Sequence, residues 1–221
     1  MRSCLVVTGG RIDLSFARSF LEKNSFDRVI AVDAGLEAAD ALGLVPDYAV
    51  GDFDTVSAPV LERYRQMPFI VWECHRPEKN ETDTELARSR ALTLGCEEIV
   101  FLGATGGRLD HMLGNIHTLA ACLKSGVKAY LIDRQNKLYL LDEGKRFSRS
   151  LLWGNYVSFL PYTEEVTGIT LEGFRYPLER RDIRRGEEVG LCISNELAGE
   201  EATLHFEDGI LVCVESRDWT D

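Results

Sequence analysis

The sequence lacks a hydrophobic run long enough to cross a bilayer, which takes about 20 apolar residues. The apolar run at Cys4–Val7 is also too short for a signal peptide. Positive charge is scarce, because 25 Lys and Arg stand against 36 Asp and Glu, for a net charge of −11. Nucleic-acid-binding proteins need a basic surface. We therefore expect a cytoplasmic protein that binds neither nucleic acid nor membranes.

Cysteine is present but without the CxxC spacing of zinc and redox sites. Several of the six cysteines lie in apolar runs, where a free thiol behaves as a small hydrophobic group. We therefore expect reduced thiols rather than a disulfide framework. The six are Cys4, Cys74, Cys96, Cys122, Cys192 and Cys213.

Several familiar catalytic motifs are also missing. No GxxxxGK[ST] loop occurs, which excludes a Walker-type nucleotide site. Thr8-Gly9-Gly10 does not extend to GxGxxG, which weakens a dinucleotide-binding interpretation. The GxSxG and HExxH motifs are absent, and the histidines lack zinc-ligand spacing.

The first two thirds of the chain alternate short apolar runs with helix-like segments, a pattern typical of a parallel sheet covered by helices. The predicted strands are Cys4–Val7, Arg28–Val32, Tyr48–Val50, Phe69–Trp72, Ile99–Leu102 and Ala129–Ile132. The predicted helices are Leu14–Lys23, Leu36–Leu42, Pro59–Arg65, Asp83–Leu94 and Asp110–Lys124.

Helical periodicity disappears after about residue 143, and short alternating runs typical of antiparallel strands follow. They are Tyr156–Leu160, Ile169–Leu171, Val189–Ile193, Ala202–Phe206 and Ile210–Val214. Asp208-Gly209 resembles a tight hairpin turn. We expect two domains, a mainly parallel α/β sandwich over residues 1–143 and an antiparallel β-sandwich over 144–221, joined near Lys145–Ser150.

Three short segments place acidic residues where a strand or loop leads into the next element: Gly51-Asp52-Phe53-Asp54, Thr82-Asp83-Thr84-Glu85 and Gly106–His111. Two like charges about 4 Å apart repel by roughly 1 kcal/mol in water and about 4 at an effective dielectric near 20. If these acids meet, a cation such as magnesium must meet them. In extended backbone, Asp52 and Asp54 would point the same way. Taken singly, Asp83 could instead complement a helix dipole.

Asp110 could likewise be only an N-cap residue, and Thr82 with Glu85 forms a capping-box pattern. Gly103, Gly106 and Gly107 permit close approach of a ligand to the backbone, and Arg108 and Lys79 offer cations suited to phosphate. His111 and Asn115 share a helix face. They flank a predicted core stripe, and could contact a substrate or form a satisfied polar edge. The stripe is Met112, Ile116, Leu119 and Leu123.

Taken together, the motifs resemble those of thiamine pyrophosphokinase, also called thiamine diphosphokinase. In the first domain the resemblance rests on Asp33-Ala34-Gly35, Pro46-Asp47, Gly51–Thr55, Lys79–Asp83, Gly106–His111 and Asn115. In the second it rests on Gly173–Leu178 and Ser194-Asn195-Glu196. Thr55 stands where many relatives have serine, and Ala34 where some have glycine.

The resemblance implies an ATP-binding catalytic domain and a thiamine-binding, dimerisation domain in a homodimer. It implies Mg²⁺-dependent transfer of pyrophosphate from ATP to thiamine, giving thiamine diphosphate and AMP. The metal residues would be Asp52, Asp54, Asp83 and Asp110, and the catalytic residues Asp54, Asp83, Arg108 and Asp110. The ATP-binding residues would be Asp33, Gly35, Lys79, Thr82 and Arg108. The thiamine-binding residues would be His111, Asn115, Tyr176, Ser194 and Asn195.

Three other functions stay open. A pterin pyrophosphokinase would share the transfer chemistry, and a nucleotide-sugar transferase could use Asp52 and Asp54 to hold a metal. A nucleotide sensor would keep the pocket without turnover. The basic cluster Arg180-Arg181 with Arg184-Arg185 is interpreted as a solvated face rather than an anion site.

Overall fold

A computed structural model describes residues 2–75 and 80–219. By its internal contacts the chain divides into two compact units, residues 1–134 and 135–221. The predicted boundary between residues 143 and 144 stays a prediction. In the described part of the chain, no helix has the length and apolarity needed to span a bilayer.

The first unit is a six-stranded parallel sheet with five helices. Its strands are β1 (Ser3–Val7), β2 (Arg28–Val32), β3 (Tyr48–Gly51), β4 (Val71–Cys74), β5 (Glu98–Leu102) and β6 (Lys128–Ile132). They lie in the order β4-β3-β2-β1-β5-β6, and every neighbouring pair is parallel. The helices are α1 (Leu14–Lys23), α2 (Gly35–Leu42), α3 (Ala58–Arg65), α4 (Asp83–Thr93) and α5 (Leu109–Lys124).

The central strands are apolar along their length because both faces of the sheet are covered. Leu5, Val6 and Val7 of β1 are fully buried, as are Ile99 and Phe101 of β5. Strand order reverses at β1, since β2 follows on one side of it and β5 on the other. The carboxyl ends beside such a reversal form the usual ligand crevice of open α/β sheets.

Every strand and helix predicted for this unit is present, so the fold class is confirmed here. The largest shift is at β4, which begins at Val71 rather than Phe69. The Ile70 N–H still donates to the Met67 carbonyl in a turn, and the Ile70 side chain joins the core rather than the sheet edge. The turn therefore delays the strand by two residues.

The second unit consists of two antiparallel sheets, which confirms the predicted β-sandwich class. Its strands are β7 (Asn136–Leu141), β8 (Lys145–Ser148), β9 (Tyr156–Pro161), β10 (Glu165–Glu172), β11 (Leu178–Arg184), β12 (Glu201–His205) and β13 (Leu211–Ser216). In this unit one sheet has the order β7-β13-β9 and the other β11-β10-β12-β8. Phe147, Phe159 and Phe174 form an edge-to-face cluster with every pair of ring centroids 5.8 Å apart.

Two strand-level predictions in this unit are wrong. Val189–Cys192 is a 3-10 helix rather than a strand, and only Cys192 in it is buried. Asp208-Gly209 does not close a hairpin, because β12 pairs with β8 and β10 while β13 pairs with β7 and β9. The segment that contains Asp208-Gly209 therefore connects a strand of one sheet to a strand of the other.

The segment near residues 145–150, where we expected the two domains to join, forms β8 and a short 3-10 helix at Arg149–Leu151. Strand β11 escaped prediction because its sequence is mostly charged and only Ile183 in it is buried. It lies at a sheet edge, where charged side chains face solvent.

The six cysteines are free thiols, as predicted, and five of them are buried. Burial raises the pKa of Cys122 and Cys192 to about 11, so both stay protonated at neutral pH. Cys74 on the edge strand β4 is the exposed one.

Candidate active site

An open cleft of about 750 Å³ lies at the carboxyl edge of the parallel sheet, within the first unit. Such a volume suits a nucleotide-sized ligand. The loops after β1, β2 and β5 and the first turns of α4 and α5 line it. Its residues are Thr8–Arg11, Val32–Ala34, Thr55, Glu81–Thr84, Gly103–Arg108, His111, Met112 and Asn115.

Glycines let two of these loops interlock. The Thr8 N–H donates to the Leu102 carbonyl at 2.9 Å, and the Arg11 N–H donates to the Gly106 carbonyl at 2.7 Å. A Cβ on Gly10 would overlap the Gly103 and Gly106 carbonyl oxygens. These glycines therefore serve loop packing, which fixes the cleft floor, at least as much as ligand approach.

Asp33 is held in a strained position beneath the next loop. Its φ of 45° lies in the left-handed region, and its carboxylate accepts the N–H groups of Asp52 at 3.0 Å and Phe53 at 3.3 Å. Gly51, at φ 141°, passes so close that a Cβ there would overlap this carboxylate. The neighbouring Gly35 is buried, and a Cβ there would overlap the Val7 carbonyl, so close packing requires a glycine at this position.

Burial, together with the negative charges of Asp83 and Asp52, raises the pKa of the Asp33 carboxyl to about 6. Carboxylates from the ends of β2 and β3 and from the start of α4 therefore lie close enough to repel. Such a grouping accommodates a cation, because a positive charge would relieve both the burial cost and the repulsion.

Asp52 and Asp54 are not arranged as the extended-backbone prediction assumed. The intervening Phe53 has a φ of 62°, and its buried ring packs edge-on against Trp72 at 5.0 Å. The Asp54 N–H donates to the Asp52 carboxylate at 3.2 Å. This turn, rather than an extended strand, places the two side chains, so that premise is corrected.

No group of three or more His, Cys, Asp and Glu side chains within residues 2–75 and 80–219 forms a ready metal cluster. The donor chemistry nevertheless fits a hard cation, since Asp33, Asp52 and Asp83 offer only oxygen. Magnesium usually takes one or two protein carboxylates and completes its shell with water and phosphate oxygens. An incomplete protein shell is therefore what a metal–nucleotide site requires.

Asp110 is not the N-cap that the sequence suggested. Arg108 occupies that position, and Asp110 lies in the first turn of α5. The Arg108 guanidinium donates to both carboxylate oxygens, at 3.1 and 2.5 Å, and holds the pKa of Asp110 at about 2. Arg108 and His111 line the cleft, with His111 exposed.

Asn115 is buried, and its amide donates to the Ala104 carbonyl at 2.8 Å. This bond fixes the loop after β5, so Asn115 helps to shape the cleft that it lines. The predicted stripe on α5 is displaced, because of its four residues only Leu119 is buried. The buried face is Asn115, Thr118, Leu119 and Cys122.

Thr82 forms the predicted capping box with Glu85, which begins α4 and places Asp83 in its first turn. The Thr82 hydroxyl accepts the Glu85 N–H at 3.2 Å, and the Glu85 carboxylate accepts the Thr82 N–H at 2.8 Å. Lys79 lies outside the described residues, so its predicted role stays a prediction.

The predicted thiamine residues of the second unit form a separate, tightly bonded group. Asn195 is buried, accepts the Tyr176 N–H at 3.0 Å and donates to the Tyr176 carbonyl at 2.8 Å. Ser194 has a φ of 55°, and its N–H donates to the Ser158 hydroxyl at 2.9 Å. Asn195 therefore positions Tyr176, whose ring is exposed and lies 5.6 Å from the Arg175 guanidinium.

The basic cluster of this unit is neutralised. Arg180, Arg181 and Arg184 form ion pairs of 2.5, 2.9 and 2.8 Å with Glu207, Glu188 and Glu165 respectively, and Arg185 donates to the Tyr162 carbonyl. Paired arginines on a solvated surface do not make an anion site, in agreement with the sequence interpretation.

Three polar residues line the cleft although sequence reasoning assigned no role to them: Arg11, Glu81 and Thr105. Arg11 follows Gly10 directly, at the end of a predicted strand, and that position was the available signal. The Thr105 hydroxyl donates to Asp133 at 2.6 Å, a partner 28 residues away that no local pattern indicates.

Comparison with known proteins finds a family model that matches each of the two parts of the chain. The model of the thiamin pyrophosphokinase catalytic domain matches residues 19–131, and that of its vitamin B1 binding domain matches residues 144–211. Thiamine pyrophosphokinase of Bacillus subtilis (strain 168) is 36% identical over 189 residues, which are 86% of this chain and 87% of that protein.

Two crystal structures share the whole architecture. Thiamine pyrophosphokinase from Bacillus subtilis has a TM-score of 0.87 at 32% identity, covering 99% of this chain and 100% of that chain. The protein from Geobacillus thermodenitrificans has a TM-score of 0.84 at 32% identity, covering 100% and 99%. With two family models in the expected order and relatives of this similarity, this chain belongs to the thiamine pyrophosphokinase family.

Proposed function

We propose that this chain transfers pyrophosphate from ATP to the hydroxyl group of thiamine, giving thiamine diphosphate and AMP, with Mg²⁺ as the cation. Family membership makes it a transferase, a thiamine diphosphokinase. The observation that carries the proposal is the approach of Asp52 and Asp83 to Asp33, beside a cleft of nucleotide size that Asp33 and Asp83 line. Mutually repelling acids in such a cleft need a cation, and a metal–polyphosphate supplies one.

Enzymes of this family use a divalent metal, and oxygen-only donors favour Mg²⁺. We assign the metal ligands to Asp52, Asp54, Asp83 and Asp110. For Asp110 this role requires release from Arg108, with which it now pairs. A bound divalent ion would neutralise charge on the phosphate oxygens during transfer.

The protein contributes position and charge to the reaction. The thiamine hydroxyl oxygen forms a bond to the β-phosphorus of ATP while the bond from the α,β-bridging oxygen breaks, and that oxygen leaves with AMP. Asp54 or Asp83 accepts the hydroxyl proton. Arg108 and Lys79 offset the charge that develops on the leaving AMP. Asp33, Gly35 and Thr82 form the part of the site that binds ATP. Gly35 contributes through close packing, and Thr82 contributes by capping the start of α4.

Thiamine binding is assigned to His111 and Asn115 of the first domain and to Tyr176, Ser194 and Asn195 of the second. Tyr176 offers an exposed ring to the flat thiamine cation. In a homodimer the second group would come from the partner subunit, with thiamine at the interface. A cytoplasmic location agrees with free thiols and the net negative charge.

The direct test is to incubate the purified chain with ATP, thiamine and Mg²⁺ and to measure products. AMP and thiamine diphosphate should form in equal amounts, and a chelator should stop the reaction. ADP as the product would contradict pyrophosphate transfer. Preference for a pterin alcohol over thiamine would instead favour the related pyrophosphokinase.

A further inference from the structure

Arg11 is a cation at the cleft to which neither motif nor family resemblance assigns a role. It lies between β1 and α1, lines the cleft and is exposed. Among the residues that the structure describes, its guanidinium forms no ion pair and no hydrogen bond, in contrast to Arg108. An isolated exposed arginine is ordinarily only solvated, so its surroundings decide its role.

The backbone of Arg11 is fixed although its side chain is not. Its N–H donates to the Gly106 carbonyl at 2.7 Å, and its own carbonyl lies where a Cβ on Gly106 would be. The side chain therefore leaves the backbone from a constant point beside the loop that carries Arg108. A long side chain on a fixed base loses less freedom when it binds a ligand.

The N-terminus of α1 is not available to bind a phosphate group. In many α/β proteins a phosphate lies at the N-terminus of the helix that follows the first strand. Here the Asp13 carboxylate already caps α1 by accepting the Phe16 N–H at 3.0 Å, and Arg134 pairs with it at 3.3 Å. A phosphate at this terminus would meet a carboxylate.

The remaining charge of the cleft is mostly acidic, with Asp33, Glu81 and Asp83 in its lining. Until Asp110 is released to bind the metal, Arg108 is engaged by Asp110 in a two-point contact. A polyphosphate entering this cleft therefore finds Arg11 as an available guanidinium, suited to two-point contact with phosphate oxygens. We infer that Arg11 binds the phosphate chain of the nucleotide substrate, an inference that rests on the proposed function for the identity of that substrate.

The test measures the affinity of the full-length chain for α,β-methylene-ATP with Mg²⁺, in which the bond to be broken is blocked. Arg11→Ala should weaken binding about 10-fold, the scale of one charge-assisted contact, and Arg11→Lys should weaken it less. Lys23→Ala is the matched control, because it removes one exposed positive charge from the same unit, on α1. It should leave affinity unchanged.

Steady-state kinetics with ATP should show the same change mainly in KM for ATP, with KM for thiamine unaltered. Equal affinity of Arg11→Ala and the unsubstituted chain, with matching thermal unfolding, would overturn the inference. So would an equal loss in Lys23→Ala, which would indicate net charge alone. If the unsubstituted chain makes no AMP yet binds the analogue through Arg11, the proposed reaction fails while this inference stands.

Discussion

At the scale of single residues, the acidic site illustrates how neighbours change the meaning of a side chain. Asp110 and Asp33 have the same chemistry, yet an arginine lowers the pKa of Asp110 to about 2 while burial and like charges raise that of Asp33 to about 6. The first is set by a local pair, two positions apart. The second depends on three chain segments that meet only in the fold.

Asp54→Asn tests the proposed chemistry. Asp54 is exposed, so the variant should unfold at the same temperature as the parent. Loss of a metal ligand or general base should lower kcat about 10²–10⁴-fold. Asp142→Asn, which removes one exposed charge from the second unit, is the control. Near-normal AMP production by Asp54→Asn would remove Asp54 from the mechanism.

Asp33→Asn, studied in metal-free buffer, tests whether the raised pKa of Asp33 makes the stability of the folded chain depend on pH. Because the pKa of Asp33 is higher in the folded chain than its usual 3.8, the folded state holds the proton more tightly. Its contribution to stability is therefore full below about pH 3.8 and declines as pH rises to about 6.

The asparagine variant cannot titrate, and its side-chain oxygen can still accept the two backbone N–H groups. Denaturant unfolding between pH 4 and pH 7 should show a smaller decline in stability for Asp33→Asn than for the parent chain. Parallel curves of stability against pH for the two proteins would mean that burial and the neighbouring acids do not raise the pKa of Asp33.

At the scale of secondary structure, the start of α4 shows a sequence pattern that acts as predicted. The capping box ties Thr82 to Glu85 and thereby sets the position of Asp83. Thr82→Ala should cost about 1 kcal/mol of stability, the usual loss for an N-cap hydroxyl. It should also raise the KM for ATP, because Asp83 lies one residue away.

The matched control is Ser57→Ala, since Ser57 is the N-cap of α3 but its side chain makes no capping bond. Urea unfolding should show little change for it. If both variants lose equal stability, the capping bond at Thr82 contributes nothing specific.

The parallel unit was predictable because its elements follow local rules: apolar strands, periodic helices and glycines at helix ends. The antiparallel unit was less so. Its Val189–Cys192 segment is apolar but winds into a 3-10 turn, while β11 is charged yet forms an edge strand. Pairing partners, not local composition, decide such segments.

The candidate site, too, was predictable only in part. Motifs at the ends of β2, β3 and β5 located the cleft, since parallel strands share one carboxyl edge. Contacts between distant segments were not readable, among them the Asp33 carboxylate beneath Asp52 and the Asn115 amide on Ala104. No spacing rule encodes a bond that depends on how two loops cross.

At the scale of the whole molecule, the proposal of a homodimer with shared sites has a quantitative test. Asp54→Asn chains and Tyr176→Ala chains, each purified alone, should have little activity. When the two are co-expressed, half of the dimers are mixed, and each mixed dimer has one intact site and one doubly altered site. Activity should return to about a quarter of the parent value.

A mixture with no regained activity, in the presence of mixed dimers, would place Asp54 and Tyr176 in the same subunit's site. Sedimentation should show twice the mass of one chain. A fully active species of single mass would end the dimer proposal.

The strand order of the second unit also governs when it can be completed. Strand β13 comes last along the chain but lies between β7 and β9 in its sheet. During synthesis the parallel unit has all of its strands by residue 132, so it can fold while the ribosome is still at work. The sandwich must wait for residues 211–216, and a stop codon before them would leave two nascent strands with no neighbour between them.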